Sequence, residues 1–198
     1  MKNALERGCT YYGTSGTIDA STDYGGIEME GLPVAFKDTD TSDPTVIQSG
    51  RLVKGRIMRN VSGFTIPGGI MVSHKTAYRG RRFDGRTITY GQEVAGVVDP
   101  RLGTAGCRSG DLCIVFTKGP CDVYVADSVA ASIVAADLAV ACTSGGTSGA
   151  TTDSGKVECI GATSAITLFS VNAVGRFEIA GESGTVKNTL VLVDLCIE

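Results

Sequence analysis

The 198-residue sequence contains no tryptophan, one histidine, five prolines and no apolar run longer than Leu138–Cys142. Each shortage narrows the possible functions. A helix needs about 20 consecutive apolar residues to cross a bilayer, so no membrane helix is expected. The opening MKNALERGCTYYG lacks the apolar core of a signal peptide, so secretion is not expected either. With His74 alone, any Ser/His or Cys/His pair has a single candidate base, and no GxSxG elbow positions a serine. His74 follows the strand-like Ile70–Ser73 and reads as a sheet-edge or surface histidine. The seven cysteines (Cys9, Cys107, Cys113, Cys121, Cys142, Cys159, Cys196) include no CxxC pair, which counts against structural zinc. They read as small reduced residues of the core or surface. The stretch GATTDSGKV, 149–157, has five residues instead of four between its glycines, and Val157 stands where a P-loop holds Ser or Thr. It reads as a polar loop, and no cofactor is implied.

What the chain has in quantity is glycine, 27 residues against the roughly 14 that average usage of about 7% would give. Glycines scattered between short β-branched runs supply the positive φ that tight turns and bulges need. The runs are Thr45–Gln48, Leu52–Arg59, Phe64–Ile66, Ile70–Ser73, Val94–Val98, Leu112–Thr117, Cys121–Ala126, Lys156–Ile160, Arg176–Ala180 and Thr189–Cys196. Pro67-Gly68-Gly69 and Lys118-Gly119-Pro120 fall between consecutive runs and predict hairpin connections. Many short strands at this spacing predict an all-β barrel or sandwich, a jelly roll being one arrangement that fits. Residues 1–33 show neither helical nor strand periodicity and read as an extended N-terminal arm. Residues 34–198 then form one domain, with a polar Gly/Ser/Thr loop at 143–155. The Ala-rich stretch Ser128–Cys142 fits a short helix or a turn leading into a strand.

Charge is unevenly distributed. Residues 1–50 carry −5, residues 51–101 carry +7 and residues 102–198 carry −5, for a total of −3. A basic centre between acidic ends implies complementary surfaces, within one molecule or between neighbours. The densest cluster is Arg79, Arg81, Arg82 and Arg86. It could be a solvated loop or a protein interface, since the planar guanidinium pairs bidentately with carboxylates. A nucleic-acid footprint, with Tyr78, Phe83 and Tyr90 stacking on bases, is opposed by a pI near 5.2 and the lack of a recognition motif. The acidic arm residues Asp19, Asp23, Glu28 and Glu30 are the matching interface candidates; solvated charge is the default reading of such carboxylates.

The second half carries an ordered set of pieces. These are Val94-Ala-Gly-Val-Val-Asp99, Gly110-Asp-Leu-Cys-Ile-Val115, Gly119-Pro-Cys-Asp-Val-Tyr-Val125, Val174-Gly-Arg176 and Leu190-Val-Leu-Val-Asp-Leu195. In that order they resemble the small capsid decoration, or cement, proteins of tailed bacteriophages. The likeness covers about the last half of the chain and leaves the first half and the seven cysteines unassigned. It implies a non-enzymatic protein, made in the host cytoplasm, that binds the exterior of the virion capsid. Its partners would be the major capsid protein, bridged between neighbouring capsomers, and further copies of itself in a homotrimer. Two rivals belong to other classes. A β-sandwich carbohydrate-binding or tail-associated adhesion module is opposed by the missing tryptophan and an aromatic content of 6%. An enzyme built on Cys and Asp would need a thiol of depressed pKa.

Overall fold

The computed structural model describes residues 30–37, 52–86, 93–126, 133, 135–141, 154–160, 173–178 and 189–197. Its strands are β1 (Pro33–Lys37), β2 (Leu52–Asn60), β3 (Met71–His74), β4 (Arg82–Arg86), β5 (Val94–Val98), β6 (Leu112–Tyr124), β7 (Leu138–Ala141), β8 (Val157–Ile160), β9 (Ala173–Phe177) and β10 (Leu190–Cys196). Short 3-10 turns occupy Thr76–Tyr78 and Pro100–Ala105. The fold is all-β, as the composition predicts. All ten strands belong to one sheet in the order β1-β2-β4-β3-β5-β6-β10-β9-β7-β8, and a further pairing of β2 with β6 closes five of them into a ring. No helix among the described residues is long and apolar enough to cross a membrane.

Two apolar clusters follow from this closure. Met58 of β2, Val72 of β3, Phe83 of β4, Val98 of β5 and Val115 of β6 meet in one cluster, to which every ring strand contributes, so it fills the ring. The outward side chains of the same strands, among them Ile57, Met71, Val97 and Ile114, join Val123, Ala139, Val157, Phe177 and Val193 of the extension in the second cluster. Leu112–Phe116 is therefore buried on both faces, which explains its unbroken apolar run. Removing a fully buried Phe or Ile side chain from water contributes about 1.5–3 kcal/mol.

The strand β6 corrects one sequence expectation. Lys118-Gly119-Pro120 is not a hairpin turn; the chain runs through it as one 13-residue strand. Lys54 pairs with Lys118 and Gly55 with Phe116, so Thr117 is an extra residue, a β-bulge. One added residue reverses which face each side chain takes. Leu112, Ile114 and Phe116 before it, and Cys121, Val123 and Val125 after it, thus all reach the same core. At Gly119, with φ +92°, β6 leaves β2 for β10; a Cβ there would stand 2.5 Å from the Leu52 carbonyl oxygen.

Pro67-Gly68-Gly69 is not a hairpin either. Ile66 forms an isolated bridge with Cys107, and the amides of Gly68 and Gly69 bond Gly103 and Val98. The segment packs beneath the Pro100–Ala105 turn, where a Cβ on Gly68 would meet the Asp99 carbonyl at 2.5 Å. Phe64 and Thr65 belong to the loop before it rather than to a strand. The predicted run 176–180 begins earlier, as β9 at Ala173, and β1 and β4 are strands where an arm boundary and a charged cluster were read. The end of Ser128–Cys142 is strand β7; Thr45–Gln48 and residues 127–132 lie outside the described residues. In the 143–155 loop only Ser154 and Gly155 are described, and both are buried, the Met71 amide donating to the Gly155 carbonyl.

Candidate functional site

The parallel pairing of β2 with β4 sets Arg59 directly opposite Arg82 and Asn60 opposite Phe83. Partners in register project to the same side, so the two guanidinium groups stand together on the outer face while Phe83 enters the ring. Like charges so placed repel, and a carboxylate between them removes the repulsion. Glu30 supplies it. Its side chain is fully buried, Arg59 donates to Oε1, and Arg82 Nε donates to Oε2 at 2.9 Å. Arg59 also donates to the Gly110 carbonyl, and Arg82 lies 4.2 Å from the centroid of the Tyr78 ring. Burial alone would raise the Glu30 pKa; hydrogen bonds from Arg59 and Arg82 and their positive charges outweigh it and hold the carboxyl below its usual value.

Around this triad the cations outnumber their partners. Lys75 pairs with Asp84 at 2.6 Å, and Arg79 pairs with Glu93. Arg56 reaches Gly80, its Nη1 lying 3.5 Å from where a Cβ on that glycine would stand. Arg81 is exposed, its stem packed over Gly31, and Arg86 packs against Gly155; neither has an ion-pair partner among the described residues. Arg56, Arg59, Lys75, Arg79, Arg81 and Arg82 thus share this region with the carboxylates of Glu30, Asp84 and Glu93. The result is a positive face whose central arginines are held in fixed geometry.

His74 ends β3 within this face. Its Nδ1 accepts the Gly80 amide at 3.2 Å, which assigns the proton to Nε2, 3.9 Å from Glu93. Burial lowers its pKa; Glu93 pulls it up, while Arg79 and Arg56 push it down. The imidazole is therefore neutral at pH 7 and acts as an acceptor that fixes the turn leading into the arginines.

At the same end of β2, immediately after Arg59, the chain forms a rigid loop around Asn60, which is fully buried. Its Nδ2 donates to the carbonyls of Phe64 (2.7 Å) and Cys107 (2.8 Å), while Oδ1 accepts from the Ser62 amide (2.9 Å) and hydroxyl (2.7 Å). All four bonding positions of the amide are used. The loop presents Phe64 at 73% exposure, and Ser62 packs beside Gly85 of β4, so the aromatic residue adjoins the basic strand.

Of the sequence candidates, the structure brings Glu30 and Arg82 together, places Arg79 beside Glu93, leaves Arg81 exposed and half-buries Arg86 against Gly155. Glu30 is a buried counter-ion of its own chain, not an arm residue. Glu30 to Pro33 belong to the body: the Gly31 amide bonds Ile57 and the Ile57 amide bonds Leu32. Asp19, Asp23 and Glu28 lie outside the described residues. Sequence reasoning missed Arg59, separated from Glu30 by 29 positions with no local signal, and Phe64, read as part of a strand. Cys107, Cys113 and Cys121 are buried free thiols and Cys196 an exposed one. Burial pushes the Cys113 and Cys121 thiols well up, opposite to what a nucleophile needs. No protein-family model matches the chain, and no curated protein sequence matches it.

Proposed function

We propose that the chain is a structural contact protein that docks through its basic face onto the outer surface of a phage capsid and bridges neighbouring capsomers, self-associating as a homotrimer. The order of the second-half motifs suggests the capsid; the basic face supplies the means of contact. The observation that carries the reading is the fixed arginine array. Arg59 and Arg82 are locked by Glu30; Arg81, next to Arg82, is exposed, and Arg86, at the far end of β4, is half-buried, both without counter-ions among the described residues. A rigid cationic surface loses little side-chain entropy on meeting an acidic neighbour, and Phe64 adds an apolar anchor at its edge.

Arg81 and Arg86 are the informative positions, because reversing Arg82 would also break the Glu30 triad. The double variant Arg81→Glu, Arg86→Glu should fold as the parent does and bind purified decoration-free capsids at least about tenfold more weakly, a cost of about 1.4 kcal/mol. Unchanged occupancy would sink the reading of this face. Absence of the chain from purified virions would sink the capsid assignment itself, and salt-sensitive retention on single-stranded DNA would instead favour a nucleic-acid partner.

A further inference from the structure

We propose that Cys107 and Cys113 are a redox pair that closes to a disulfide on exposure to a small-molecule disulfide, fastening the turn between them to β6. The inference rests on geometry and does not depend on the capsid reading. Cys107 and Cys113 both lie in the cluster that fills the ring, at 0% and 2% exposure, and the Cys107 thiol donates to the carbonyl of Asp111, two residues before Cys113, at 3.6 Å. Neither sulfur is free to drift. Cys107 exchanges backbone bonds with Ile66 in both directions, at 2.8 and 2.9 Å, and Cys113 pairs in register with Met58 of β2.

One residue ties the two ends of the intervening turn. The Asn60 side chain donates to the Cys107 carbonyl; its amide donates to the Asp111 carbonyl at 3.0 Å, and its own carbonyl accepts from Gly110 at 2.8 Å. The chemistry available to the pair is thiol chemistry. Among the described residues no group of three His, Cys, Asp or Glu side chains is placed to hold a metal. The turn separates the two buried thiols from solvent and has to open for a reagent to reach them. Arg108 and Ser109 are exposed, Gly110 has open space at its α-carbon, and the Cys107 thiol bonds only the carbonyls of Arg108 and Asp111, at 3.8 and 3.6 Å, on that side.

With oxidised glutathione the step balances as two exchanges. One cysteine thiolate attacks the glutathione disulfide, releasing one glutathione thiolate and forming a mixed disulfide; the second cysteine attacks the protein sulfur of that bond and releases the other. Two electrons pass from the cysteine sulfurs to glutathione, and the two thiol protons end on the two released thiols. Because burial disfavours the Cys113 thiolate, closure should be slow at neutral pH and accelerate as pH rises.

The test is to incubate the full-length reduced protein with oxidised glutathione, alkylate the remaining thiols and digest with trypsin. Cleavage after Arg101, Arg108 and Lys118 separates the two cysteines into peptides 102–108 and 109–118. The expected product is these two peptides joined through sulfur, formed faster at pH 9 than at pH 7. Closing a seven-residue loop should lower the unfolding constant about fifty-fold, read by urea titration of the oxidised and reduced forms. Cys113→Ala should abolish both effects, and the peptide map of the unaltered chain stands alone if that variant does not fold. Stable glutathione adducts on Cys107 or Cys113, or their linkage to other cysteines, would overturn the proposal. A 102–108/109–118 link with unchanged stability would overturn the fastening role.

Discussion

Replacing Glu30 tests whether the basic face is built around a buried counter-ion. In Glu30→Ala the guanidinium groups of Arg59 and Arg82 stay opposite one another across the β2–β4 pairing without the carboxylate that bridges them. Two charge-assisted hydrogen bonds contribute about 1.5–3 kcal/mol each, and removing one member of a buried ion pair costs about 3–5 kcal/mol. The arginine side chains retain 11% and 27% exposure, so water relieves part of the loss. The expected destabilisation of Glu30→Ala is therefore about 3 kcal/mol at pH 7, and about 1.5–2 kcal/mol for Glu30→Gln, which keeps one acceptor.

Urea titration at several pH values reads both numbers and the titration of the carboxyl. The two arginines lower the folded-state pKa of Glu30, so its contribution is fully present above the unfolded value of about 4.3 and is lost as pH falls through the lower folded value. The gap between parent and Glu30→Gln should hold from pH 7 to pH 5 and narrow below about pH 4. A gap under about 0.5 kcal/mol at pH 7 would class the triad with exposed ion pairs, and a gap that does not narrow on acidification would show that charge is not what Glu30 contributes.

Phe83 is the side chain β4 gives to the ring interior and is fully buried, so Phe83→Ala should cost about 3–5 kcal/mol and lower Tm by roughly 6–20 °C by calorimetry. A shift under about 2 °C would mean that the ring core is not as packed as described. Asn60→Ala strands the carbonyls of Phe64 and Cys107 and should cost about 2–3 kcal/mol in urea titration, whereas Phe64→Ala, at an exposed tip, should cost less than about 0.5 kcal/mol. Equal costs for the two would refute the view that Asn60 builds the loop and Phe64 is merely presented by it.

The sequence revealed strands wherever local pattern was sufficient. Leu52–Asn60, Val94–Val98 and Leu190–Cys196 fall within a residue or two of the runs that predict them, because Val, Ile, Leu or Met recur through each of them. It misled where tertiary pairing overrode a turn signal. Gly119-Pro120 has the composition of a reversal, but the glycine is there so that β6 can pass the Leu52 carbonyl, and the bulge at Thr117 re-aims the side chains that follow. β4 was illegible for the opposite reason: in RFDGR one large apolar side chain, Phe83, faces the core, and a single residue makes no period. The site was half legible. Composition located the arginines and placed acid at both ends of the chain, but pairing one acid with two arginines depends on a β2–β4 register that no local feature records. That register also orders the functional argument. Arg59 and Arg82 face each other only if β2 and β4 run parallel at this offset, and a slip of β4 by one residue would turn Phe83 outward and Arg82 into the ring. The burial of Phe83 and the exposure of the basic face are therefore one structural fact, and a substitution that loosens the ring should loosen the face with it.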